Sequence, residues 1–291
     1  MNINTLISVG AAAVLAGCVT VNEPAYDTLI AHRGESKDAP ENTLPAYRTA
    51  VERGFGFECD IYLSKDGRLF TFHDSNLKRT TAGAHTEACV AASWADTVSK
   101  VNVGGWGKWK GSKFDPTRPA LLEEVLALAR PGRKIYVEVK GGDAAVAWVP
   151  EIKRVFAKEP KATPETALFI SFSAATCAEL KRQMPEYKVY WLTGSRLRAD
   201  GIADRSKWPV HAAQDIVSKL REINADGVDI HFDPSVVDEA YVKTVKDAGF
   251  EFHVWTVDDL EKARKAFAVG ADTLTTNCAK DILDGYLGKS R

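Results

Sequence analysis

His32, Arg33, Glu58, Asp60 and His73 fall within one stretch, Ile30 to Asp74, at the ends or in the middle of short apolar runs. Ionisable side chains are rarely placed inside such runs without a partner. On a β-strand successive side chains alternate, so Glu58 and Asp60 share one face and Cys59 turns to the other. Two carboxylates side by side repel each other unless a proton or a cation lies between them. A third carboxylate, Glu138, stands at the carboxyl end of Ile135-Tyr136-Val137-Glu138-Val139-Lys140. Three oxygen donors favour a divalent cation, Mg2+ or Ca2+, over zinc, and the choice between the two rests on cavity geometry. His32 and His73 supply imidazoles, a group whose ordinary titration range near neutral pH suits acid and base catalysis. Arg33, next to His32, and Lys140, on the same face as Glu138, are suited to clamp an anion.

Such groups need a scaffold that gathers strand ends. Runs over Thr28–His32, Gly56–Ile61, Lys134–Val139, Ala167–Ser171, Lys188–Leu192, Gly227–Ile230, Glu251–Thr256 and Asp272–Thr275 read as strands. Between them Leu44–Arg53, Leu121–Ala129, Ala144–Lys158, Ala174–Gln183, Ala212–Asn224, Ser235–Ala248 and Leu260–Val269 read as helices. Alternation of this kind predicts an α/β fold, a (β/α)8 TIM barrel, whose functional groups collect at the carboxyl ends of the strands. An open doubly wound sheet would need a glycine-rich first loop, which His32-Arg33-Gly34-Glu35 is not. One segment breaks the rhythm: Lys65-Asp66-Gly67-Arg68 is a hairpin turn, so residues 68–73 are predicted to be an extra antiparallel β-hairpin arm carrying His73 over the barrel mouth. The long stretch that follows, about 75–118, is predicted to be a small insertion that caps part of the site or packs Trp106 and Trp109 into a core of its own.

His32-Arg33-Gly34, Pro40-Glu41-Asn42-Thr43, Glu58-x-Asp60 and His73-Asp74 together resemble the signature run of the glycerophosphodiester phosphodiesterase family, and weaker similarity extends to about residue 285. The resemblance implies metal-dependent hydrolysis of glycerophosphodiesters to glycerol phosphate and an alcohol. It assigns the acid and base roles to His32 and His73 without dividing them, the metal to Glu58, Asp60 and Glu138, and substrate binding to Arg33 and Lys140. Glu41 and Asn42 belong to the matching Pro-Glu-Asn-Thr element, where they contact substrate or orient Arg33 and its loop. Trp255 resembles a pocket-lining tryptophan of the penultimate barrel strand, and Asn277 stands where an aspartate is more usual. Two other readings remain: a lysophospholipase D-type phosphodiesterase acting on lipids, and a non-catalytic lipoprotein that binds a phosphorylated ligand. Of the other histidines, His85 and His211 read as structural, while His231 and His253 lie near strand ends that line the mouth.

The formal charge of −1 offers no global attraction to nucleic acid, which is excluded as a partner. Residues 3–17 are small and apolar, and Leu15-Ala16-Gly17-Cys18 resembles a bacterial lipobox. The implied arrangement is a signal peptide over residues 1–17, lipidation of Cys18, a tether over 18–27 and one barrel domain over 28–291, membrane-anchored in the bacterial periplasm or at the cell surface. Cys59, Cys89, Cys177 and Cys278 are then left as buried free thiols or as a source of one disulfide.

Overall fold

A computed structural model describes residues 24–194 and 211–289; the apolar N-terminal run and Cys18 lie outside the described residues. Eight parallel strands close into a barrel: β1 (Leu29–Ala31), β2 (Gly56–Leu63), β4 (Ile135–Val139), β5 (Ala167–Ser171), β6 (Val189–Thr193), β7 (Gly227–His231), β8 (Glu251–Trp255) and β9 (Thr273–Thr276). Closure runs through β1, which pairs with β2 on one side and β9 on the other. The predicted hairpin arm is β3 (Leu69–Thr71), antiparallel to the far end of β2 from Ile61 to Leu63. Its short turn aims His73 back across the rim.

The helices are α1 (Leu44–Glu52), α2 (Leu122–Leu126), α3 (Val149–Phe156), α4 (Ala174–Gln183), α5 (Ala213–Glu222), α6 (Glu239–Asp247), α7 (Leu260–Ala268) and α8 (Ala279–Tyr286). The long helix expected over 144–158 is divided, because Pro150 lacks an amide hydrogen and is tolerated only in a first turn. The chain therefore runs as a 3-10 turn to Trp148 and starts α3 at Val149. Similarly, α6 begins four residues later than its apolar pattern implied, at the point where the Asp238 side chain accepts from the Tyr241 amide as N-cap. The closing helix α8 had no counterpart among the sequence expectations.

Two apolar layers result. Ile30, Tyr136, Leu168, Ile170, Tyr190 and Leu192 fill the barrel lumen, while the outward faces of the strands pack on the helices in a separate, larger cluster. The lumen is plugged beneath the strand ends, so the ionisable groups above it stand on a rigid floor. Cys59, Cys89 and Cys177 are buried free thiols, and Cys278 is partly buried and also unpaired. Among the described residues no helix is long and apolar enough to cross a membrane.

Candidate active site

The strand registers put Asp60 of β2 directly beside Glu138 of β4, with Glu58 two residues below Asp60 on the same face. One oxygen from each of the three carboxylates lies within 4.8 Å of the others. Glu58 and Asp60 are 2% and 0% exposed, so their charges repel with little solvent to screen them. Burial, then repulsion from Asp60 and Glu138, drives the Glu58 carboxyl well above the ordinary range. Burial likewise raises Glu138, to about 7, despite the attraction of Lys140. Asp60 behaves oppositely: burial opposes its ionisation, but Lys140 and Arg33 outweigh it and hold the group below the usual carboxylate range. Neither Glu58 Oε1 nor Asp60 Oδ1 has a hydrogen-bond partner among the described residues, although Lys140 Nζ stands 3.3 Å from the latter. Orphaned, buried carboxylate oxygens converging on one point are the donor set of a hard divalent cation.

Two cations already lean on this triad. Lys140 Nζ donates to Glu138 Oε1 at 2.7 Å, and Arg33 Nε lies 3.4 Å from Asp60 Oδ2. Arg33 is held with its backbone at φ 56°, a left-handed conformation uncommon outside glycine, while its amide donates to Glu58 Oε2 at 2.8 Å. Gly34 follows at φ 77°, and a Cβ there would stand 2.5 Å from the backbone carbon of Ala46 in α1. The Arg33 turn is thus pressed against the first helix.

Glu41 and Asn42 stand behind the main cavity wall. Glu41 Oε1 accepts from Arg33 Nη1 at 3.0 Å and from Arg79 Nη2 at 2.6 Å. Asn42 donates from Nδ2 to Asp60 Oδ2 at 2.7 Å, and its Oδ1 accepts from the Asp60 amide at 3.1 Å and from Tyr47 at 2.8 Å. The positions of Glu41 and Asn42 therefore fix Arg33 and Asp60, and Thr43 caps α1 by accepting from the Ala46 amide.

His32 and His73 face the same cavity, about 570 Å3 in volume, together with Arg33, Glu58, Glu138 and Lys140. Trp255, Phe172, Leu192 and Ile170 form its opposite, apolar wall. His32 Nε2 is 4.0 Å from Glu58 Oε2, while Nδ1 lies 2.7 Å from Asn277 Oδ1. The Asn277 amide nitrogen donates to Asp258 Oδ2 at 2.7 Å. A carboxylate can only accept, so Asn277 presents its carbonyl to His32, which must carry its proton on Nδ1 and its lone pair on Nε2. Burial and the Arg33 charge push the His32 pKa down to about 4. Burial also lowers His73, but its Nδ1 meets a carboxylate, Asp74 Oδ1, at 2.9 Å. Asp74 is in turn held by Arg79, which lies 5.0 Å from the Trp106 ring centroid. The insertion thereby contributes to the rim.

Sequence reasoning passed over Asp258, Arg79 and Asp229, another buried carboxyl on the cavity lining. Asn277 was noticed only as a departure from pattern. His253 is not at the mouth: it lies at the opposite end of the barrel, stacked on Tyr190 with ring centroids 4.1 Å apart and 3.5 Å from Glu251.

A closed (β/α)8 barrel with a carboxylate triad, two imidazoles and two cations at its carboxyl end is the architecture of a hydrolase that handles a phosphorylated substrate. Residues 32–280 match the model of the glycerophosphoryl diester phosphodiesterase family, and the chain belongs to that family. It is 29% identical over 261 residues to a glycerophosphodiester phosphodiesterase of Caldanaerobacter subterraneus subsp. tengcongensis, covering 88% of this chain and 96% of the relative. A stretch of 170 residues is 34% identical to a probable glycerophosphodiester phosphodiesterase of Mycobacterium tuberculosis, covering 54% of this chain and 61% of the relative. Among solved structures, an Oleispira antarctica phosphodiesterase in complex with the product sn-glycerol-3-phosphate superposes with TM-score 0.74 at 25% identity, covering 91% of this chain and 98% of that one.

Proposed function

We propose that the protein hydrolyses glycerophosphodiesters to glycerol phosphate and an alcohol, with Mg2+ or Ca2+ held by Glu58, Asp60 and Glu138. The observation that carries this reading is the convergence of the three buried carboxylates beside His32, His73, Arg33 and Lys140 in one cavity. A bound divalent ion would supply Lewis-acid stabilisation of the phosphoryl oxygens. Arg33 and Lys140 bind the phosphate anion and oppose the charge that accumulates on it.

The two imidazoles divide the proton transfers. His32, with a carbonyl behind it and a free Nε2 lone pair, accepts the proton of the attacking hydroxyl, whether of water or of the substrate. His73, whose Nδ1 is held by the Asp74 carboxylate, donates a proton to the departing alkoxide as its bond to phosphorus breaks. A glycerophospho-p-nitrophenyl diester tests this division, because its leaving group needs no proton. His73→Ala should retain turnover of that diester while losing glycerophosphocholine, and His32→Ala should lose both; the reverse pattern would exchange the roles. Assay of glycerophosphocholine and lysophosphatidylcholine with Mg2+, with Ca2+ and with excess chelator tests the reading as a whole. Full activity in chelator would remove the metal, and turnover of the lysolipid alone would make the enzyme a lysophospholipase D.

We also propose cleavage before Cys18 and lipidation of its thiol, on the strength of Leu15-Ala16-Gly17-Cys18, which would tether the enzyme in the periplasm or at the cell surface. Cys18→Ala should release the protein from detergent-extractable membranes; unchanged partitioning would remove the anchor.

A further inference from the structure

Asp229 is 1% exposed, lies in register with Leu192 of β6 and His253 of β8, and lines the cavity that holds His32, Glu58 and Glu138. Its Oδ1 has no hydrogen-bond partner among the described residues. A buried carboxyl left unpaired is costly, and a chain that keeps one on a strand otherwise filled by Val228 and Ile230 has a partner for it outside its own atoms. The metal is not that partner, because Asp229 is not among the carboxylates that converge within 4.8 Å.

The surroundings narrow the ligand's chemistry. Trp255 Nε1 donates to the Asp229 main-chain carbonyl at 3.0 Å, which fixes the indole beside the carboxyl. Ile170 and Leu192 complete an apolar collar. Burial, and secondarily the Glu138 charge, drives the Asp229 carboxyl well above its ordinary range, towards the neutral form. A neutral carboxyl is both donor and acceptor, as is a hydroxyl, whereas an ammonium head group would need the carboxylate. Apolar walls suit the C–H faces of a polyol carbon chain.

We propose that Asp229 is a specificity-determining residue that hydrogen-bonds a hydroxyl of the substrate's glycerol moiety, while the phosphate sits under Arg33 and Lys140. This rests on the glycerophosphodiester reading above. The test compares wild type, Asp229→Leu and Asp229→Asn on glycerophosphocholine and on ethyl phosphocholine, which lacks the glycerol hydroxyls. Asp229→Leu should lower kcat/KM for the first by about 10–100-fold and leave the second within about 2-fold, with Asp229→Asn retaining most activity on both. Equal losses on the two diesters would overturn the proposal, since Asp229 would then serve the choline or the fold. In parallel, calorimetry should show wild type binding sn-glycerol 3-phosphate about 10-fold more tightly than ethyl phosphate, a preference that Asp229→Leu erases. Should the leucine variant fold poorly, Asp229→Ala is titrated with the same pair; an unchanged preference overturns the proposal. If wild type turned over neither diester yet kept the Asp229-dependent preference, the hydrolytic reading would fail and the glycerol contact would stand.

Discussion

The His32 Nδ1–H donates to the side-chain carbonyl of Asn277, 245 positions further along the chain, and that single bond at 2.7 Å decides which ring nitrogen faces the cavity. Asn277→Ala should therefore lower kcat by about 100-fold with little change in KM, as expected for loss of orientation rather than of binding. The 15N shifts of the His32 ring should show mixed tautomers in the variant and one tautomer in wild type.

The pH profile follows from the burial of the same ring and from the Arg33 charge beside it, which together outweigh the Asn277 bond. With His32 at about 4 against an ordinary 6.5, its neutral form persists well below the usual imidazole range, and activity that depends on it should fall only as pH drops through about 4. Stability runs in the same direction: between about 4 and 6.5 the unfolded chain binds the proton and the folded chain does not. The contribution of His32 is thus fully present above 6.5 and lost as pH falls to about 4. Asn277→Asp puts a carboxylate behind the ring, so the acid limb of kcat/KM should move up towards 6.5.

Glu58→Gln tests the electrostatics of the triad. Without a cation, the wild-type site holds Glu58 against the repulsion of Asp60 and Glu138. The glutamine variant should be more stable than wild type in chelator at pH 8, by ~1 kcal/mol or about 2–4 °C in Tm. It should also lack the rise in Tm expected of wild type on addition of Mg2+ or Ca2+, if either ion binds the folded state. A cation-dependent rise of the same size in the variant would remove Glu58 from the ligand set.

Arg79 joins both sides of the rim, since its Nη2 donates to Glu41 Oε1 at 2.6 Å and to Asp74 Oδ1 at 2.9 Å. Arg79→Ala should release Arg33 and His73 together and lower kcat/KM by about 10-fold, with partial recovery in Arg79→Lys. Steady-state kinetics in which either partner alone accounts for the loss would show that the two sides are not linked.

Gly34→Ala meets the Ala46 backbone and a left-handed φ at once. Displacement of α1 from the Arg33 turn should destabilise the fold by about 1–3 kcal/mol in denaturant titration. Activity should fall beyond what that loss of stability explains.

Much of the scaffold was legible because it repeats locally. The period-2 runs gave β2, β4 and β5 nearly to the residue, Asp66-Gly67 marked the hairpin, and Ala174–Gln183 coincides with α4. The triad could be read because Glu58 and Asp60 break an apolar run and Glu138 breaks another. Asp258, Asn277 and Arg79 carry no such mark. Each acts by reaching a residue far away in sequence or on another loop, and a lone Asp or Asn after a strand looks the same whether it caps a turn or orients a base. Asp229 was hidden for a different reason, since one acid in a strand is unremarkable until its neighbours prove apolar and its oxygen unpaired. His253 misled in the opposite sense: the strand was right, but its inward-facing layer belongs to the barrel's far end.

The barrel closes where β1 meets β9, and β1 is only three residues long. A chain still on the ribosome and lacking residues beyond 272 has Arg33 and both β2 acids, but no second neighbour for β1 and no Asn277 carbonyl. Until those last residues emerge, the newborn polypeptide lacks the carbonyl that sets the His32 tautomer. A fragment ending at residue 272 should accordingly be inactive on glycerophosphocholine, and addition of a peptide spanning 273–289 should restore measurable turnover if closure is what it lacks.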